Sequence, residues 1–340
     1  MDDTIHLSQL RDADVLLYRG TSVISRAIQF FDGSDASHAA LYRGGGRVGE
    51  AIAEGLVERA LAEGLPGNEW VEARRLKDRP ANMAPVLRRG RHYLDQGNRY
   101  GFEQLLLLAF LCLTRKVKMT PIVRALVRNV LDAATSLLTR WVSEHKEPMI
   151  CSEFVFRAYD EALSALHDRY ALRVNRAMAG DLAETVDAQG SAGVAPRLSG
   201  PRGQGIHPDS LLAVVSMAPG EGWMPRLPAE ELAWAREAPP VSDEQLDEQL
   251  LAYLAEVRTD EPALAVEEVT LDDLVAATDR FAYGVYQATH AAEAERLEAE
   301  APDLASMLIT DNLFRTAADF VTPADLLRTP SLFRLGRVVA

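Results

Sequence analysis

Ser37-His38-Ala39-Ala40-Leu41-Tyr42-Arg43-Gly44-Gly45-Gly46-Arg47-Val48-Gly49-Glu50-Ala51-Ile52 reads as two short strands around a glycine turn. The first strand is small and apolar apart from its histidine. A three-residue loop, Gly44 to Gly46, pairs Arg43 with Arg47, which sets Ala40 opposite Glu50 and His38 opposite Ile52. Side chains alternate along a strand, so the even-numbered residues share one face and Glu50 is the diagonal neighbour of His38. A carboxylate in that place holds an imidazole in one tautomer and stabilises its cation.

Working outward, Asp14-Val15-Leu16-Leu17-Tyr18 is a strand before the hairpin, and residues 71–76 are a strand after it. From Met83 the apolar period lengthens. Val86, Gly90, Tyr93 and Leu94 suit one helix, and the run from Leu105 to Leu113 suits another. Thr120-Pro121 is a cap with proline at the first helical position. The helix it opens carries Ile122, Val123, Leu126, Val130, Leu131, Leu137, Leu138 and Trp141 near a 3.6-residue spacing.

Cys151 stands at the start of a further helix, Cys151-Ser152-Glu153-Phe154-Val155-Phe156. Unpaired N–H groups and the helix dipole favour an anion there, which makes a thiol more nucleophilic. The ordinary fate of a free cysteine is to be an inert, buried apolar side chain, and Cys112, inside the leucine-rich helix, is read that way. A nucleophilic cysteine needs a base, and His38 is the histidine with a fitting context. His6, His92, His145, His167, His207 and His290 lack one.

The order of these segments resembles the circularly permuted NlpC/P60 papain-like hydrolases, the YiiX/YaeF-like group, in which the histidine strand precedes the cysteine helix. Gly97-Asn98-Arg99-Tyr100-Gly101-Phe102 and Thr322-Pro323-Ala324-Asp325-Leu326 are similar to that group as well. The resemblance implies an α+β fold with an antiparallel sheet packed on helices. It covers residues 1–170, completed by 319–340. It implies acyl-transfer chemistry on an amide or ester bond. Cys151 is the nucleophile, His38 moves protons and Glu50 orients His38, with the oxyanion held by N–H groups at the helix start. Tyr18, on the strand leading into the site, is a candidate substrate-binding residue. Neither a metal nor an organic cofactor is implied. The competing class is a binding or scaffold protein on an inactive papain-like core.

Composition bounds the rest. The chain has 340 residues, 36 basic and 50 acidic side chains, two cysteines and 48% hydrophobic residues, which fits a globular protein of about two domains. Two cysteines without a CxxC pair leave neither a disulfide framework nor a Cys-rich zinc site. Residues 1–175 hold 24 basic and 22 acidic side chains, and residues 176–340 hold 12 and 28. The acidic half, residues 171–318, is expected to be a mostly helical insertion, with a linker at residues 189–205. Such a balance argues against nucleic acid as a partner. The acidic start has no apolar core of a secretory signal. The longest apolar run is far short of the roughly 20 residues that span a bilayer, so a cytoplasmic protein is expected. The substrate is a peptide or a lipid-linked acyl group. Arg115, Lys116, Lys118, Arg124, Arg128, Arg140 and Lys146 surround the apolar face of the Thr120-Pro121 helix, a pattern that suits either a membrane surface or a core helix with a solvated basic face.

Overall fold

The computed structural model describes residues 4–52, 55–95, 103–143, 149–163, 169–174, 206–207, 209–216, 243–259, 268–300 and 302–339. Seven strands form one sheet: β1 (Thr4–His6), β2 (Val15–Gly20), β3 (His38–Gly44), β4 (Arg47–Ile52), β5 (Gly55–Ala60), β6 (Asn68–Leu76) and β7 (Leu332–Val339). Their order is β1-β7-β6-β2-β3-β4-β5. The sheet is antiparallel except for β1 and β7, which pair in parallel. That pair is the exception to the antiparallel sheet expected. The described helices are α1 (Val23–Phe31), α2 (Leu61–Gly64), α3 (Ala84–Asp95), α4 (Glu103–Thr114), α5 (Pro121–Ser143), α6 (Cys151–Asp160), α7 (Leu211–Ser216), α8 (Asp243–Thr259), α9 (Leu271–Glu300), α10 (Pro302–Asp319) and α11 (Pro323–Arg328). The chain is therefore a mixed α+β protein. The segments Gly97 to Phe102 and 189–205, with His145, Lys146 and His167, lie outside the described residues.

The central strands are buried on both faces, which explains why β2 reads as an unbroken apolar run. Val15, Leu17, Ala39, Leu41 and Ala51 join the main core, together with Phe154 and Cys151 of α6 and the buried side chains of α4 and α5. Leu16, Tyr18, Ala40, Tyr42 and Val48 line the opposite face and pack with Leu61, Val71 and Val338. Burial at roughly 25 cal/mol per Å2 of apolar surface makes this alternation the main stabiliser of the register.

The hairpin at the centre of the sequence reading keeps its register along the strands, with Leu41 opposite Gly49 and Tyr42 opposite Val48. Its turn differs. Gly44 rather than Arg43 pairs with Arg47, and the register shifts between Tyr42 and Gly44. The loop is thus two residues long with a bulge beside it. Gly44, Gly45 and Gly46 take φ of 89°, 59° and 74°, a left-handed run that only glycines adopt in succession without strain.

The long basic helix is internal. Ile122, Val123, Leu126, Val130, Leu131, Leu137 and Leu138 are all buried. α5 packs along α9, where Gly284 lets Leu138 approach closely. Its basic residues turn to partners in the chain: Arg128 lies 3.8 Å from Asp132, and Arg124 donates to the Val269 carbonyl at 3.5 Å. The apolar face that suited a membrane surface is used by the core. Among the described residues no helix is long and apolar enough to cross a membrane.

Candidate active site

β3 begins at His38, directly opposite Tyr18 of β2. The β3–β4 register carries Glu50 to the diagonal position, and the bond forms: His38 Nε2 lies 2.7 Å from Glu50 Oε2. The Glu50 side chain is fully buried and that of His38 is 12% exposed. On the other side of Glu50, Arg59 Nε of β5 donates to Oε1. Burial alone would push the Glu50 carboxyl up. The hydrogen bonds and charges of His38 and then Arg59 outweigh it and hold the group below the usual carboxylate range. An ionised Glu50 only accepts, so Nε2 of His38 is the nitrogen that donates to it.

Tyr18 stands edge-on to His38, with ring centroids 5.1 Å apart. The residue is 2% exposed. Its hydroxyl is buried without a hydrogen-bond partner among the described residues. Burial, and next the nearby Glu50 charge, push that hydroxyl well above its ordinary pKa, with Arg59 opposing. The phenol is therefore a neutral donor at every physiological pH.

Cys151 is the first residue of α6, as expected, and is 1% exposed. Its N-cap is Ile150, in extended conformation, with no side-chain bond to the first turn. Isoleucine has no acceptor to offer, so side-chain capping does not occupy those N–H groups. Ser152 Oγ donates to the Val321 carbonyl at 2.7 Å and ties the first turn to the chain before α11. Gly49 lets the helix approach the sheet. A Cβ there would stand 3.2 Å from both the Phe154 ring and Leu94.

The direction of α6 follows from its contacts. Phe154 lies over Gly49, opposite Leu41. A turn and a half later the Tyr159 hydroxyl donates to the Ala13 carbonyl, and Ala13 is bonded to Tyr42. The helix thus runs alongside β3 in the same direction. Cys151 starts its helix at the end of the sheet where His38 starts its strand. Cys112 is fully buried in α4, and burial pushes its thiol far above the ordinary range.

Arg59 was missed in the sequence because β5 was not recognised. The signal was present: Leu56-Val57-Glu58-Arg59 follows Ile52 at hairpin distance, and alternation puts Arg59 on the face of Val57, which pairs with Glu50. Among the described residues, no group of three or more His, Cys, Asp or Glu side chains is placed to hold a metal ion.

No family model matches the chain. No curated protein matches it either. Among solved structures it is similar to the crystal structure of the metalloprotein YiiX from Escherichia coli O157:H7, DUF1105. The two are 20% identical over 46% of this chain and 68% of that one, with a TM-score of 0.30.

Proposed function

We propose that the protein is a cysteine-dependent hydrolase or acyltransferase on a circularly permuted papain-like core of the NlpC/P60 kind. The observation that carries the reading is the buried His38–Glu50 bond at 2.7 Å, with Cys151 as the first residue of its helix in support. In this reading Cys151 Sγ gives its proton to His38 Nδ1 and attacks the carbonyl carbon of an ester or amide. Backbone N–H groups of the first turn of α6 receive the oxyanion. His38 then passes the proton to the leaving alcohol or amine. A thioester remains on Cys151, and water or an acceptor nucleophile releases the acyl group. Glu50 holds the imidazole and stabilises its cation throughout. The thiol belongs to the main core and the imidazole to the strand's opposite face, so the reading requires the two to meet past the start of β3.

Small esters and amides carrying either peptide or lipid acyl groups are the substrate class. Iodoacetamide labelling stepped through pH tests the thiol. Cys151 should react below pH 8 in the folded protein, while Cys112 should react only after denaturation. Against p-nitrophenyl acyl esters, Cys151→Ala should abolish turnover and Glu50→Gln should lower it by a smaller factor. Equal labelling of both cysteines only on denaturation would favour the second reading, a binding protein on an inactive core. The 1% exposure of Cys151 is the observation on that side.

A further inference from the structure

We infer that Arg59 is a positioning residue of the same site. It fixes the Glu50 carboxylate and sets how strongly that carboxylate stabilises protonated His38. The inference rests on His38 being the working base, and it adds a fourth member on a strand outside the Cys–His–Glu set.

Three observations carry it. Glu50 is wholly buried and divides its two oxygens, Oε2 to His38 and Oε1 to Arg59. A buried carboxylate with a single cation partner could rotate about its last bond. Two partners on separate oxygens fix its plane, and with it the direction of the His38 ring. Second, the fold makes room for the guanidinium. A Cβ at Gly64, in α2, would stand 3.1 Å from an Arg59 terminal nitrogen and 3.6 Å from Cζ. The guanidinium therefore lies close against Gly64, where an added Cβ would press on it. Third, Arg59 is 30% exposed and His38 12%, while Glu50 is not exposed at all, so of the two partners the guanidinium is the one more open to solvent.

The electrostatic consequence has a definite sign. Glu50 divides one negative charge between the Arg59 guanidinium and the His38 ring. Removing Arg59 takes away a positive neighbour of the imidazolium and leaves the whole carboxylate to His38. Both changes favour protonated His38. The charged or titratable groups that the described contacts set about the imidazole include Tyr18 from β2, Glu50 from β4 and, through Glu50, Arg59 from β5, with Glu63 of α2 beyond Arg59. Arg59 supplies positive charge to that group.

The test is the titration of the His38 ring, followed by NMR in protein labelled at histidine, with Cys151 alkylation by iodoacetamide measured over the same pH range. In Arg59→Met the His38 midpoint should rise. Arg59→Lys, which keeps the charge without the planar fork, should return the midpoint toward the wild-type value. Gly64→Ala, which crowds the guanidinium without removing it, should shift the midpoint in the same upward direction by less. An unchanged His38 midpoint in a folded Arg59→Met protein would overturn the inference, as would a lowered one. Should Arg59→Met fail to fold, the Lys and Gly64→Ala variants decide by the same readout. Failure of the catalytic reading looks different: Cys151 stays unreactive in the wild type, whatever His38 does.

Discussion

Tyr18 shows how one side chain can serve two ends that pull apart. Its hydroxyl is buried with no hydrogen-bond partner among the described residues. Leaving a buried donor unsatisfied costs roughly 1–3 kcal/mol. Tyr18→Phe keeps the ring against His38 and removes only that oxygen. It should therefore raise stability by about 1 kcal/mol, read as an upward shift of about 2 °C in the thermal midpoint. If the hydroxyl also meets the substrate, the same variant turns over p-nitrophenyl esters more slowly while melting later. A midpoint lowered by several degrees would mean that the hydroxyl has a partner in solution. The His38–Glu50 pair itself was legible in the sequence. Twelve residues around a glycine turn bring the two onto one face, whether the loop holds three residues or two with a bulge, because the bulge lies on the turn side of both. Ser152 was not legible in the same way. Its partner is the Val321 carbonyl, 169 positions along the chain, and no local pattern announces a bond over that distance.

At the scale of elements, the helix starts were the surest reading. α5 begins at Pro121 behind Thr120, whose hydroxyl accepts from Val123 N at 3.4 Å. α6 begins at Cys151. The strands were read where a turn or an apolar run marks them and missed where neither does. β7 reads as Leu-Phe-Arg-Leu-Gly-Arg-Val-Val, its apolar pattern broken by two arginines and a glycine, and its partners β1 and β6 lie more than 250 positions away. β1 has three residues and gains meaning only beside β7. The start of α11 carries a prediction of its own. Thr322 and Asp325 form a capping box, and Asp32, at the end of α1, accepts from Ala324 N at 3.0 Å. Two carboxyl groups therefore share one buried corner with Arg115. Burial pushes Asp325 up to about 6, helped by the Asp32 charge and opposed by the Thr322 N–H bond. A carboxyl raised in the folded state binds its proton more tightly there than in the unfolded chain. Its contribution is complete below about pH 4 and is lost as pH rises through about 6, for a total on the order of 3 kcal/mol. Chemical unfolding at pH 4, 5, 6 and 7 measures it. Asp325→Asn should flatten the slope across that window, and an unchanged slope would place the proton elsewhere.

At the scale of the molecule, composition divides the chain near residue 170, and the buried cluster runs across that point. α5 and α9 pack side by side, Phe110 meets Phe281 at 5.3 Å between ring centroids, and Arg280 reaches Asp132 at 2.8 Å. A chain ending at residue 174 would uncover part of α5. Leu126, Val130, Leu131 and Leu138 are each worth roughly 1.5–3 kcal/mol when buried. Their partial loss is comparable with the whole 5–15 kcal/mol that holds a domain folded. Such a chain should be recovered aggregated, or should melt without a cooperative transition by circular dichroism. A soluble, cooperatively melting product would show that residues 1–170 carry a sufficient core of their own. The place of β7 inside the sheet also orders events during synthesis. β2, β3, β4 and α6 leave the ribosome early, yet β1 and β6 wait for Leu332–Val339 to join them, and the first turn of α6 waits for Val321. Roughly 170 residues separate the end of α6 from β7, about 10–30 s of translation at 5–20 residues per second. For that interval the nascent chain carries Cys151 on a helix not yet tied to Val321, beside a sheet that lacks β7. Until Leu332–Val339 emerges, β6 therefore carries an open strand edge that could pair with another chain.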